Sequence, residues 1–197
     1  MTASPIDPIG LFLSEHERAR AAGEGWDATA ASLATVGAEG RPSTRYVLVK
    51  DVGADGFRFF TNRQSRKADD LRARPYAALA FLWHKTDTQF RAEGPVRPLD
   101  DATSDAYFAA RPRVSQLGAW ASQQSRPLAS REVLLGRLAE MERQYPEGTA
   151  VPRPPHWGGY LLVPERMEHW QAGDFRLHQR TLYERDGAGW RATLMNP

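Results

Sequence analysis

Near the C-terminus the chain reads D-F-R-L-H-Q-R from Asp174 to Arg180, which puts Arg176, His178 and Arg180 at every second position. Side chains alternate between the two faces of a strand, so in a strand these three project the same way. Cations side by side on one face repel each other unless an anion, from the protein or a ligand, faces them. The same alternation also suits a charged strand edge that discourages aggregation. A second cationic group is S-R-K at Ser65, Arg66 and Lys67, where a helix is expected to begin. The free N–H groups and positive dipole end of a helix start favour an anion, and a hydroxyl with two cations completes the outline of a phosphate site. A basic surface helix start has the same spelling.

Two further stretches carry usable chemistry. In Y-F-A-A-R-P-R-V-S, Tyr107 and Arg111 are i and i+4, and Ser115 follows the exit that Pro112 forces. Two hydroxyls and a guanidinium can grip a phosphate bidentately, although a helix C-terminus with a favourably placed Arg reads the same way. In R-Y-V-L-V-K, Arg45, Val47 and Val49 share one face of a strand while Tyr46, Leu48 and Lys50 share the other. A cation at each end suits snorkelling at barrel rims, and equally a flat ring ligand with a charged tail. The histidines at 16, 84, 156, 169 and 178 show no metal-binding spacing, and no nucleophile elbow, Walker or dinucleotide fingerprint is present.

Composition narrows the classes. At 197 residues, with 41% apolar and 25% charged residues, the chain suits one globular domain spanning 1–197. It divides into an N-terminal helix over 1–25 and a barrel with helical insertions over 26–197. The absence of cysteine removes disulfides, thiolate nucleophiles and Cys-ligated metals. No apolar run reaches spanning length and M-T-A-S-P-I-D-P lacks the features of a leader, so a cytoplasmic protein without membrane contact is expected. A net charge of +2 is too small a field for a dedicated nucleic-acid binder. Arginine dominates the cations, with lysine only at Lys50, Lys67 and Lys85.

The elements that must position these residues can be read in order. A helix is expected over 8–22, then strands over 31–36 and 43–50, a turn at 52–56 and a strand over 57–61. Ser65 is the expected N-cap of a short helix that Pro75 ends. Strands follow at 77–83 and 88–97, a helix at 100–111, and a longer helix at 129–144 with Val133, Leu134, Leu138 and Met141 on its buried side. P-R-P-P at 152–155 reads as an ordered crossing loop. The last strands fit 158–163, 166–171 and 176–185, and a turn at 186–189 leads into a final W-R-A-T-L-M. Close turn spacing and mainly antiparallel strands make this an α+β domain, a barrel with helices in its connections.

Taken together, R-Y-V-L-V-K, F-F-T-N-R-Q-S-R-K, F-L-W-H, Y-F-A-A-R-P-R-V-S-Q-L-G-A-W-A-S-Q-Q-S, P-H-W-G-G-Y and W-Q-A-G-D-F-R-L-H-Q-R resemble the pyridoxine/pyridoxamine 5′-phosphate oxidase family. The resemblance runs from about residue 30 to the end. It implies an FMN-binding split barrel, a homodimer with FMN at the subunit interface, and oxidation of pyridoxamine or pyridoxine 5′-phosphate by dioxygen. Arg45, Tyr46, Val47, Leu48, Val49, Lys50, Phe60, Thr61, Arg66 and Lys67 then fall on FMN-binding positions. Gln89, Gln124, Ser125, Trp170 and Arg180 would complete that site from the second subunit. Lys50, Tyr107, Arg111 and Ser115 fall on positions that hold the substrate phosphate, and Arg176 and His178, with Leu177 between them, on those facing the pyridine ring. The family pattern departs at three places. Only Met1 to Ile6 precede D-P, where many members carry a longer segment. Ala172-Gly173 stands for a frequent Gly-Gly, and Leu194 occupies a commonly basic position. A phenazine-biosynthesis type oxidase of the same barrel, and a non-catalytic FMN or pyridoxal phosphate carrier, are the alternatives.

Overall fold

The computed structural model describes residues 7–23 and 27–197; residues 1–6 and 24–26, where the short segment before D-P and the expected junction of helix and barrel fall, lie outside it. Helix α1 (Pro8–Ala21) starts where the Asp7 side chain accepts from Gly10 N at 2.9 Å, with proline at its first position. Its Phe12 is fully buried and meets the rings of Phe57, Phe81 and Phe90 at 5.0, 4.8 and 5.2 Å between centroids. That contact seats α1 on the main apolar core.

Among the described residues, ten strands form one antiparallel sheet. They are β1 (Ala30–Val36), β2 (Pro42–Leu48), β3 (Asp51–Gly53), β4 (Gly56–Asn62), β5 (Tyr76–Trp83), β6 (Thr88–Pro98), β7 (Trp157–Leu162), β8 (Arg166–Gln171), β9 (Gln179–Asp186) and β10 (Gly189–Met195). The principal path runs β10-β9-β8-β6-β5-β1-β2, and β3, β4 and β7 branch from β6. β6 makes the fork possible. Its first half, Thr88–Glu93, pairs with β8, and its end, Val96–Pro98, pairs with β7, while β5 lies along its other edge. The partners change around Gly94, where a Cβ would run into the Val163 carbonyl. A glycine lets the returning strand approach that closely. The result is the expected split, mainly antiparallel barrel with helices in its connections.

Helices α2 (Arg66–Ala73), α3 (Asp101–Ala109), α4 (Arg113–Ala121) and α5 (Arg131–Gln144) complete the fold. α3, α4 and α5 gather around a second, smaller core of Phe108, Leu117, Val151 and Trp157.

Several sequence expectations are corrected. The helix expected at 100–111 stops before Pro112, as α3 does, but an unexpected further helix, α4, follows: Pro112 occupies its N-cap, because its fixed φ suits a helix start as well as it forbids a helix interior. The strand expected at 176–185 begins only at Gln179, since Asp174–Arg176 forms a 3₁₀ turn with Phe175 and Arg176 at φ 55° and 64°. The strand expected at 43–50 stops at Leu48, and the expected turn at 52–56 is the β3–β4 hairpin, with Gly53 opposite Gly56. On α5, Val133 is exposed, and Leu134, Leu138 and Met141 are only half-buried. Ser65 is the N-cap of α2 as expected, but its hydroxyl makes no capping bond and donates instead to Asn62 O at 2.7 Å.

If the close approach at Gly94 holds the fork, Gly94→Ala should cost about 3 kcal/mol or more, the scale of a forced backbone shift. The midpoint of equilibrium urea unfolding measures this, and a loss below about 0.5 kcal/mol would show that the strands separate freely there.

Candidate functional site

The phosphate-gripping set expected from sequence converges. Lys50, Tyr107, Arg111 and Ser115 line one cleft of about 520 Å³, with Leu48, Phe60, Ala110, Pro112 and Trp157. Tyr107 comes from α3 and Ser115 from the first turn of α4. Arg111 stands at the corner between the two helices, past the end of α3, so the expected i, i+4 helix pair is not what unites it with Tyr107. Gln116 braces the corner: its Nε2 donates to Phe108 O at 2.9 Å and to Ala109 O at 3.3 Å, satisfying carbonyls at the end of α3.

The floor of the cleft is aromatic. Phe60 lies parallel to Tyr107 at 3.8 Å and to Trp157 at 5.5 Å. The Arg111 guanidinium rests 4.8 Å from the Trp157 ring and 5.6 Å from that of Phe108. Its Nη1 is buried and has no hydrogen-bond partner among the described residues. Burial lowers the pKa of Arg111, yet guanidinium stays protonated in proteins. A buried cationic donor aimed at nothing is a costly feature unless an anion joins it.

Lys50 reaches the same cleft with its Nζ 3.0 Å from Asp27 Oδ2. Burial works against ionisation of Asp27, but hydrogen bonds from Thr29 and Lys50 outweigh it and hold the carboxyl at about 2. Asp27 was absent from the sequence candidates. It lies in the approach to β1, far from Lys50 along the chain, and no local spacing signals the pairing.

A second cleft of about 340 Å³ shares Phe60, Arg111, Ser115 and Trp157 with the first and adds Thr61, Asn62, Ser122 and Gln124. Behind Thr61 and Gln124 lies Lys67, 7% exposed, whose Nζ donates to Thr61 Oγ1 at 3.1 Å, Ser65 Oγ at 3.0 Å and Gln124 Oε1 at 2.8 Å. All three acceptors are neutral, and no carboxylate pairs with it among the described residues. Burial, and then the charge of Arg45, bring Lys67 down to about 8. Arg66 is exposed at the first position of α2. Gln124 thus lies beside Lys67 of its own chain. Ser125 follows it at φ 69°.

The remaining candidates lie elsewhere. Strand register places Gln89 opposite Trp170 and Trp170 opposite Arg180, so the three form one rung across β6, β8 and β9. Directly opposed residues project to the same face, and this face also carries Leu82 and Met195 at the ends of the rung. It is the face on which Tyr46 and Leu48 project from β2, 75% and 45% exposed. Val47 and Val49, on the opposite side of that segment, are half-buried and buried. Arg180 has found its anion in Glu168, with Nε at 2.9 Å and Nη2 at 3.2 Å. His178 packs on Trp170 at 4.6 Å and its Nδ1 accepts from Gly173 N at 3.3 Å. Arg176 and Leu177 are exposed in the turn. The three cations therefore do not share one strand face, and within one chain Gln89, Trp170, Arg176, Leu177, His178 and Arg180 line neither cleft.

Residues 18–145 match the family model for pyridoxamine 5′-phosphate oxidase, and residues 157–197 match that for the pyridoxine 5′-phosphate oxidase C-terminal dimerisation region. The chain belongs to the pyridoxamine 5′-phosphate oxidase family. It is 54% identical over 196 residues to the pyridoxine/pyridoxamine 5′-phosphate oxidase of Anaeromyxobacter dehalogenans, covering 100% of this chain and 98% of that one. The oxidase of the same name from Myxococcus xanthus DK1622 is 52% identical over 98% of this chain and 93% of its own. Among solved structures, PhzG from Burkholderia lata 383, in complex with tetrahydrophenazine-1-carboxylic acid, superposes with a TM-score of 0.92 at 34% identity, covering 98% and 94% of the two chains. An FMN-binding, pyridoxamine 5′-phosphate oxidase-related protein from Nostoc punctiforme shares the fold at a TM-score of 0.76 and 21% identity.

As a member of this oxidase family, the chain is an oxidoreductase. Two departures from the pattern of pyridoxamine 5′-phosphate oxidases now have a physical account. At Ala172-Gly173 only the second position excludes a side chain, since a Cβ on Gly173 would meet the Leu177 carbonyl. Leu194 is 83% exposed on β10.

Because Arg111 Nη1 has no structural partner, Arg111→Met should leave the unfolding free energy within about 1 kcal/mol of wild type or raise it, as apolar replacements of buried charges do. A loss above about 3 kcal/mol in urea unfolding would mean that the guanidinium ties the fold together.

Proposed function

We propose that this chain oxidises pyridoxamine 5′-phosphate and pyridoxine 5′-phosphate to pyridoxal 5′-phosphate, with FMN as cofactor and dioxygen as acceptor, as a cytoplasmic homodimer. The observation that carries the substrate is the convergence of Lys50, Tyr107, Arg111 and Ser115 on one aromatic-floored cleft, with an unpaired buried guanidinium. The chemistry of the second donor set fits the cofactor. Lys67, held by neutral oxygens only, with Arg45 in its field and Arg66 in that of Arg45, suits a phosphate monoester.

Bound FMN supplies the hydride acceptor, and dioxygen as the final oxidant gives hydrogen peroxide. The alcohol substrate yields the aldehyde directly, and the amine yields an imine that water hydrolyses to aldehyde and ammonia. The protein's own part is to bind and orient. Arg111, Tyr107, Ser115 and Lys50 anchor the substrate phosphate, and the Phe60–Tyr107–Trp157 stack supplies a flat apolar wall. Asp27 holds the Lys50 ammonium in place. His178, accepting at Nδ1 from Gly173, keeps its proton on Nε2 and offers that donor to the pyridine substituents. Arg176, exposed in its turn, is the residue to lie against the ring.

The homodimer supplies what one chain lacks. The face bearing Tyr46, Leu48, Leu82 and Met195 is exposed and largely apolar, and it carries the Gln89–Trp170–Arg180 rung. A second copy on this face would bring the partner's rung and its Arg176–His178 turn toward the clefts. The likeness to PhzG, whose bound compound is a carboxylic acid, favours one second reading: an oxidase of a phenazine precursor. The complete four-residue phosphate set supports the vitamer phosphate over it.

Purified protein reconstituted with FMN should be yellow, and pyridoxamine phosphate added without oxygen should bleach the flavin absorbance; tetrahydrophenazine carboxylate bleaching it in preference would favour the second reading. In the same assay Arg176→Ala should lower turnover by at least about tenfold, the cost of lost orientation, with the spectrum intact. Unchanged turnover would remove Arg176 from the site.

Lys67 loses its proton as pH rises through about 8 in the free protein, whereas Arg45 and Arg66 keep theirs. An anion binds the protonated form, so log Kd for FMN should rise by up to about one per pH unit above that value. Lys67→Met should abolish this slope and weaken binding below it by about tenfold or more, measured by quenching of FMN fluorescence.

A further inference from the structure

Helix α2 and the strand pair β1–β2 meet at a single buried carboxylate. Asp70, 7% exposed in α2, accepts at Oδ2 from Thr35 Oγ1 of β1 at 2.6 Å and from Ser43 Oγ of β2 at 2.9 Å. The same two hydroxyls accept from the two arms of Arg45: Nη1 donates to Thr35 Oγ1 at 2.6 Å and Nη2 to Ser43 Oγ at 2.5 Å. A third bond, from Nη1 to Leu33 O at 3.3 Å, and the 3.5 Å approach of Nη2 to Asp70 Oδ2 complete the cage.

The polarity of this network is fixed by proton counting. Each hydroxyl has one proton to give. Committed to the carboxylate, it turns its lone pairs toward the guanidinium, so both forks of Arg45 are held by oxygens whose orientation Asp70 dictates. An amide at position 70 would offer a weaker acceptor, and its NH₂ group could reverse the hydroxyls and release the fork. Burial works against ionisation of Asp70, but Thr35, Ser43, Arg45 and Arg66 together hold it below the usual carboxylate range. Arg45 in turn lies close enough to depress Lys67, so these groups form one electrostatic unit at the start of α2.

We propose that Asp70 is a positioning residue for the phosphate end of the FMN site, acting through Thr35 and Ser43 to aim Arg45 alongside Lys67. This rests on the FMN reading above. It also commits to a sign. A carboxylate near an anion site repels the anion, so if Asp70 were only a counter-charge its neutralisation would tighten phosphate binding. As a positioning residue its neutralisation weakens binding, because a misdirected guanidinium loses its paired hydrogen bonds to the anion.

The test uses full-length apoprotein titrated with FMN, and with riboflavin as the ligand lacking phosphate, followed by flavin fluorescence. Asp70→Asn should raise the FMN Kd on the order of tenfold and leave the riboflavin Kd unchanged, while Asp70→Glu restores part of the loss. In an Arg45→Met background, Asp70→Asn should change the FMN Kd by less than about twofold, since the residue through which it acts is gone. Tighter or unchanged FMN binding by Asp70→Asn, or the same loss with Arg45 absent, overturns the proposal while leaving the cofactor assignment intact. Wild-type apoprotein that binds no FMN overturns both. Should Asp70→Asn fail to fold, Ser43→Ala, which removes one arm of the cage at a half-buried site, should still weaken FMN about threefold or more, and no weakening there overturns the proposal.

Discussion

Two cations without carboxylates, Lys67 buried and Arg111 half-buried, set the terms for the rest of this molecule. Arg111 lies against aromatic faces with one nitrogen unsatisfied, and Lys67 is held by neutral oxygens alone. Folding must bear the desolvation of both before any ligand arrives. Other cations of low exposure do have carboxylates: Arg153 lies between Asp101 and Asp105, Arg180 on Glu168, and Arg45 against Asp70. The contrast separates function from packing better than charge content does. Arg111 and Lys67 lie where a phosphate is expected, at two clefts that share Phe60, Arg111, Ser115 and Trp157.

The fold makes this tolerable by putting each cation on an element anchored elsewhere. Lys67 belongs to α2, whose other side is tied to β1 and β2 through Asp70. Arg111 stands at the α3–α4 corner that Gln116 braces, and Trp157 beneath it begins β7, a strand buried along its full length. β7 reaches that position only because β6 exchanges partners around Gly94. The fork in the sheet and the two clefts are therefore one piece of geometry.

Much of this was legible in the sequence, and the gaps have physical causes. Period-two and turn signals located nearly all the strands, since a half-buried strand writes its alternation locally. The Lys50, Tyr107, Arg111 and Ser115 set was readable as phosphate chemistry by residue type, but its convergence needed tertiary structure: Tyr107 and Arg111 meet through a helix corner, not along one helix. Pro112 misled because the same ring that ends one helix opens the next. The alternation of Arg176, His178 and Arg180 misled for a different reason. Gly173 packs against the Leu177 carbonyl and turns the chain before the strand can start, a constraint no periodicity records. Asp27 and Asp70 were invisible because each acts on a cation distant in sequence and neither sits in a recognisable spacing.

That turn bears on how the site is assembled. Phe175 and Arg176 both adopt left-handed backbone, which costs on the order of 1–3 kcal/mol per residue for side chains of this size, and Phe175 remains 95% exposed. Within one chain Arg176 touches neither cleft; the turn is closed by Leu177 N donating to Asp174 O at 2.9 Å, and beyond it His178 is held through Gly173 and Trp170. The exposed face beside it shows the same imbalance, with Tyr46 and Leu48 uncovered along β2. A strained, exposed turn next to an uncovered apolar face is physically consistent if both are completed by a second copy. On that view Arg180 belongs to the sheet through Glu168, His178 to the rung through Trp170, and Arg176 alone is left free to reach outward. The three residues that the sequence aligned on one face, Arg176, His178 and Arg180, are separated by the turn into three different tasks.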